Sequence, residues 1–216
     1  MNNSVGNTGR VLWAGLRALL VLTVVCGALY PLAVTGVAQA AFPGKANGSE
    51  IEDASGRVVG SELIGQTYLD GDAPDLRWFQ PRPSRGLGTN SVNTRYRLLL
   101  SGATNRSGDN EELIEWVTDA KAAVVEDNSV HGHQVKPSDV PADAVTSSGS
   151  GLDPHISPAY AELQVHRVAE RNRLDVARVE KLVADHTEGR VLGFIGEPRV
   201  NVLELNIALK ELVAEG

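Results

Sequence analysis

The chain has 216 residues, a formal net charge of −7, one cysteine and 5% aromatic residues. Its charge is unevenly placed: residues 1–17 hold Arg10 and Arg17 and no acid, leaving 18 basic against 27 acidic side chains beyond them. A body that acidic argues against nucleic-acid binding, the single Cys26 excludes an internal disulfide and a cysteine zinc site, and the low aromatic content argues against a stacking platform.

Residues 18–43 carry no charge, and residues 11–32 read VLWAGLRALLVLTVVCGALYPL. About 20 apolar residues rising 1.5 Å each cross a bilayer core, so residues 11–37 are predicted to form a transmembrane helix. Arg17 can snorkel to the interface, and Trp13 and Tyr30 lie near the two ends, where amphipathic rings favour the headgroup layer. The basic residues lie on the N-terminal side. By the positive-inside rule residues 1–10 are a cytoplasmic tail, residues 38–60 a juxtamembrane linker and residues 61–216 an extracytoplasmic domain. A cleaved signal peptide ending at Ala38-Gln39-Ala40 is the competing reading, and the length of the apolar stretch favours a retained anchor. Val25 stands where a lipoprotein signal needs a small residue, so Cys26 reads as an inert thiol.

The exported part is predicted to be α+β. Residues 44–60 read as loop, residues 57–60 and 63–68 as short strands, and residues 70–93 as loop punctuated by Pro74, Pro81, Pro83, Gly86 and Gly88. A helix follows, with Asp109 as its cap, Glu112 three residues on, and a stripe of Leu113, Trp116, Val117, Ala120 and Val124. Residues 128–151 form a second loop. Ser157-Pro158 starts the next helix, buried through Ala161, Val165, Val168 and Ala169. Asp175 caps another, with Val179, Leu182, Val183 and His186 at helical spacing. Asn201 with Glu204 opens the last, lined by Val202, Leu205, Leu209 and Leu212. Between these, residues 191–196 (Val-Leu-Gly-Phe-Ile-Gly) form a short apolar run that reads as a strand or a buried turn.

The residue chemistry offers little catalysis. His131 and His133 have no partner at a metal-site spacing and read as a solvated loop, while His166 and His186 look structural. No phosphate loop, zinc-protease motif or serine-hydrolase elbow occurs, and no metal site is expected. The residues alone point to a membrane-anchored partner-binding module. A secreted binding protein and a membrane-tethered hydrolase are the rival classes.

One stretch says more. Residues 145–158, VTSSGSGLDPHISP, resemble the signature of the C subunit of the bacterial Kdp-type potassium-transporting P-type ATPase. The likeness continues in Gln164 and Arg167-Val168-Ala169, and in residues 193–203, GFIGEPRVNVL, with Leu205 and Asn206. Upstream, Tyr30-Pro31-Leu32, Ala46-Asn47-Gly48-Ser49, Leu63-Ile64-Gly65-Gln66 and Arg82-Pro83-Ser84 also match. The resemblance implies an accessory subunit, non-catalytic by itself, of an ATP-driven high-affinity potassium importer, needed for assembly and activity. Its implied partners are a channel-like A subunit, an ATP-hydrolysing B subunit and a small F subunit. No cofactor is expected on this chain alone, with ATP and potassium engaged through the complex.

The family's C subunit is described as a catalytic chaperone that raises the B subunit's affinity for ATP, on a likeness to the Leu-Ser-Gly-Gly-Gln signature of ABC ATPases. Here that stretch is Leu100-Ser101-Gly102-Ala103-Thr104-Asn105, which makes Ser101 and Gly102 the nucleotide-binding candidates. The predicted topology separates them from cytoplasmic ATP, so the effect would pass by indirect coupling. The alternative is a cap over the outer potassium entrance with no nucleotide role. Gly149, Gly151, Asp153, Pro154, His155 and Ser157 are the candidates for a partner interface or the cation entry.

Overall fold

The computed structural model describes residues 3–53, 55–84, 101–102 and 105–215. It divides the chain into two compact units, residues 1–49 and 50–216. Of the loop expected at residues 70–93, residues 85–93 lie outside the described residues, as do Leu100, Ala103 and Thr104.

The first unit is a nearly continuous helix: α1 (Asn3–Val24), a π-helical turn (Val25–Leu29) and α2 (Tyr30–Ala41), followed by the short α3 (Pro43–Ala46). Residues 6–41 are long and apolar enough to cross a membrane, and none of the window is buried against the protein. The helix is longer at both ends than residues 11–37. The π turn has a local cause. Pro31 lacks an N–H and its ring would press on the carbonyl four residues back, at Gly27. The wider turn, with Tyr30 N–H donating to Val25 O, falls where that crowding would occur.

The second unit is α+β. Residues 44–60, expected as loop, instead supply most of α3, at the end of the first unit, and β1 (Glu50–Glu52), which pairs antiparallel with β2 (Val58–Ser61) across a bulge at Ile51/Glu52. Residues 63–68 are not a strand. Their polar groups are drawn elsewhere: Ile64 N–H turns back to Ser61 O, Gly65 N–H donates to Leu152 O, and the Gln66 amide to Val59 O. β3 (Leu69–Asp70) and β4 (Ala73–Pro74) form a small hairpin. A three-stranded antiparallel sheet places β7 (Arg199–Asn201) between β5 (His155–Ile156) and β6 (Thr187–Glu188).

Four helices build the core. α4 (Glu111–Asn128) is capped by Asn110, whose side chain accepts from Leu113 N–H. Asp109 is not the cap, because its carboxylate is engaged by the Ser107 hydroxyl at 2.5 Å. α5 (Pro158–Asn172) begins at Ser157, whose hydroxyl accepts from Tyr160 N–H, and its Ala161, Val165, Val168 and Ala169 are all buried. Arg173 ends α5 in a left-handed conformation, with Leu174 N–H returning to Ala169 O at 2.9 Å. α6 (Val176–Asp185) starts after Asp175, which caps through its backbone rather than its side chain, and His186 lies just past its end. α7 (Val202–Ala214) opens at Asn201, whose side chain accepts from Leu203 and Glu204 N–H. α4, α6 and β7 pack on α5, and α7 packs on α6 and β7, around Val124, Tyr160, Val179, Val200, Leu205 and Leu209.

Residues 75–84 run through this core without joining a sheet, and Phe79 is fully buried. Buried backbone groups need partners, and here side chains provide them. Asn206 accepts from Phe79 N–H and donates to Phe79 O, both at 2.9 Å. Gln164 accepts from Gln80 N–H at 2.7 Å and donates to Gln80 O at 3.1 Å. Arg167, only 1% exposed, donates to Leu76 O, Trp78 O, Asn128 Oδ1 and Gln164 Oε1. Burial pulls its pKa down to about 10, so it stays charged at neutral pH, bound by oxygen acceptors. Replacing Gln164→Leu would strand the Gln80 N–H and C=O and one Arg167 N–H; denaturant unfolding should show a loss of about 3 kcal/mol, whereas the exposed Gln134→Leu should change stability by less than about 0.5 kcal/mol.

Candidate functional site

The signature segment is built as a bonded loop between the 3₁₀ turn Ala142–Ala144 and α5. Arg82 is its hub. The guanidinium donates to Thr146 O at 3.3 Å and Ser147 O at 3.2 Å, and meets the Asp153 carboxylate at 3.4 Å. Asp153 also accepts from His155 N–H at 3.0 Å and lies 3.2 Å from His155 Nδ1. The His155 side-chain and backbone bonds, with the charge on Arg82, hold the Asp153 carboxyl below its ordinary value against the opposing effect of burial. Both acid and imidazole are half-buried, so the pair is fixed yet reachable from solvent.

Gly151 is where the loop needs glycine. Its φ is +68°, and a Cβ there would sit 2.9 Å from Gly102 O. Gly149 has no positive φ and no atom within 4 Å of a Cβ, so it is an open loop position. Pro154 is buried, and its carbonyl accepts from Val202 N–H at the start of α7. Ser157 is held by Asp143, which accepts from its N–H at 2.7 Å and its hydroxyl at 2.9 Å.

Ser101 and Gly102 meet this same loop. Gly102 N–H donates to Ser150 O at 2.8 Å, and the Ser101 hydroxyl to the same oxygen at 3.1 Å. The Gly102 backbone donor is thus engaged within the chain. The two signature blocks also meet: β5 and β7 pair His155 with Asn201 and Ile156 with Val200. Sequence reasoning does not foresee Arg82 as the hub or Asp143 as the anchor of Ser157. The one available signal is an arginine between two prolines, in backbone that cannot enter a sheet. Sequence spacing also leaves the histidines unrelated, whereas His133 and His166 stack with ring centroids 3.8 Å apart and planes 10° apart. Burial, then the neighbouring His133, lowers the His166 pKa. Among the described residues no group of three or more His, Cys, Asp or Glu side chains is placed to hold a metal ion.

With the two blocks joined in one structure, the comparisons with known proteins decide the family. The family described as "K+-transporting ATPase, c chain" matches residues 12–211. The chain belongs to the KdpC family. It is 74% identical to the potassium-transporting ATPase KdpC subunit of Streptomyces avermitilis over 221 residues, covering 99% of both chains. It is 70% identical to the subunit of that name from Streptomyces coelicolor, covering 100% of this chain and 99% of the relative. With the KdpC subunit of Mycobacterium bovis it shares 43% identity over 94% of this chain and 99% of the relative. A KdpC chain is a subunit of a potassium-transporting ATPase, and the one long apolar helix among the described residues fits a single-pass membrane protein.

The loop geometry separates the two glycines. Gly151→Ala should cost about 1–3 kcal/mol through its left-handed backbone and the crowding of Gly102 O, and Gly149→Ala should stay within about 0.5 kcal/mol. Paired unfolding midpoints of the two variants read this difference.

Proposed function

We propose that this chain is the accessory subunit of an ATP-driven, high-affinity potassium importer, needed for assembly and activity, with residues 50–216 on the outer side of the membrane. The observation that carries the reading is the family match across residues 12–211. The charge pattern supports the orientation, since Arg10 and Arg17 lie toward the N-terminal side of the apolar helix and the other flank turns acidic from Glu50. The partners are a channel-like A subunit, an ATP-hydrolysing B subunit and a small F subunit.

The chain raises the apparent ATP affinity of the hydrolysing subunit by coupling through the complex. A coupling free energy needs no shared site. Two features favour coupling over direct contact: the expected orientation, and the engagement of Gly102 N–H by Ser150 O. A second reading, a cap over the outer potassium entrance, is favoured by charge. Residues 50–216 carry 17 basic and 27 acidic side chains, a field that concentrates cations near the outer mouth and weakens with salt.

A chain ending at Ser49, expressed with the partner subunits, separates these readings. Coupling predicts poorer assembly and, in whatever complex forms, a several-fold higher ATP half-saturation with potassium half-saturation unchanged. Capping predicts the reverse pattern, and full activity with both constants unchanged contradicts the accessory role. In intact cells a membrane-impermeant maleimide should label Gly149→Cys without lysis, with the parent chain controlling for Cys26; labelling only after lysis would reverse the orientation.

A further inference from the structure

The stacked pair His133 and His166 joins two parts of the second unit that the signature loop leaves free. His133 closes a tight turn after α4. Val130 and His133 exchange backbone hydrogen bonds at 2.9 and 3.1 Å around the left-handed Gly132, and Val135 N–H donates to the Ser129 hydroxyl at 3.1 Å. The chain then runs on to the 3₁₀ turn that carries Asp143, the anchor of Ser157. His166 stands on α5 between the buried Val165 and Arg167. Both imidazoles are half-buried, and their rings lie face to face with centroids 3.8 Å apart.

Two neutral imidazoles gain from this contact through dispersion and the burial of their faces. Two imidazolium rings at the same spacing repel, and burial adds to the cost of each charge. Histidine is the side chain whose ordinary pKa places that change between neutral and mildly acid pH.

The surrounding charges leave the repulsion in force. On α5, Glu162 and Glu170 lie one turn to either side of His166 and are exposed. From α6, Glu180 favours the charged form of His166, yet burial and His133 outweigh it and lower the His166 pKa. The turn itself offers His131 and Lys136, neither of them acidic. At the end of α4, Glu126 is exposed and Asp127 has Arg167 and Arg171 as opposing charges. On β7, Arg199 is paired with Glu188.

We propose that the His133–His166 stack is an acid-released latch: neutral rings hold the turn at residues 129–135 on α5, and protonation of the pair frees it. Rings this close titrate as one unit, so the second proton meets the repulsion and release follows it. The stability that the latch supplies is present above the ordinary histidine pKa and is lost as the pH falls through it toward the lowered folded-state value. The proposed orientation makes the sensed pH the external one, and the latch itself does not depend on that orientation.

Native-state hydrogen exchange of the full chain in detergent micelles, corrected for intrinsic rates, reads the latch at the amides of residues 130, 133 and 135. Between about pH 7.5 and 5.5 their local opening should rise about tenfold or more, while Val168 in α5 keeps its protection. His133→Phe keeps an aromatic face that cannot charge. Its turn should stay equally protected at both pH values, and its His166 ring, followed by NMR, should titrate at higher pH than in the parent chain. His133→Gln has no ring, so its turn should open more readily than the parent's at the higher pH and no further at the lower. Where His133→Phe loses Val168 protection, His133→Gln carries the comparison alone. Parent opening that is the same at both pH values, or an acid-induced rise that persists in a folded variant, would overturn the latch.

Discussion

The second unit depends on how a proline-punctuated segment is held inside it. Pro81 and Pro83 lack the N–H that a sheet ladder needs and residues 75–84 join no sheet, yet Phe79 is fully buried in the core beside α5 and α7. Burying Phe79 drags two peptide groups into an apolar interior, where an unpaired N–H or C=O is costly. Asn206 and Gln164 each answer with a two-point amide pairing, one to Phe79 and one to Gln80, imitating a strand partner on either side. Arg167 collects the carbonyls just upstream. The hydrophobic gain at Phe79 and the polar cost of its backbone are resolved together.

That clamp also organises the signature loop and the strands beside it. Asn206 lies five residues beyond Asn201, which caps α7 and donates to Glu62 O at 2.8 Å. Asn201 ends β7, which pairs with the signature strand β5 on one side and with β6, the root of the apolar run at 191–196, on the other. Arg82, two residues after the clamped Gln80, reaches the Thr146 and Ser147 carbonyls and Asp153. The signature loop and that run are therefore two ends of one bonded framework.

Much of this is legible in the amino-acid sequence. The apolar helix announces itself by length, and α5 by Ser157-Pro158 followed by four small or branched residues on one face. Gln164 and Arg167 interrupt that apolar face, the sequence trace of a buried polar network, but their partners include backbone groups more than eighty residues away and leave no pattern. The cap of α4 falls one residue later than the sequence suggests because Asp109 and Asn110 are both competent, and only the Ser107 hydroxyl decides between them. Residues 63–68 have strand-like composition, yet their polar groups bond to a distant loop and to their own turn. The apolar run at 191–196 reads as a strand or a buried turn, yet it is neither: Leu192 is 79% and Phe194 72% exposed, because composition reports hydrophobicity and only packing reports exposure.

In this KdpC-family chain the clamp around Phe79 ties the signature loop, through Arg82 and Asn201, to the core of the second unit. Native-state hydrogen exchange of the full-length chain tests this at the Phe79 and Gln80 amides. If the clamp holds the unit together, both should exchange only through global unfolding, with the same opening free energy as Val168 in α5 and Leu205 in α7. Fast exchange at Phe79 and Gln80 by local opening, while α5 and α7 stay protected, would show that the core stands without the clamp.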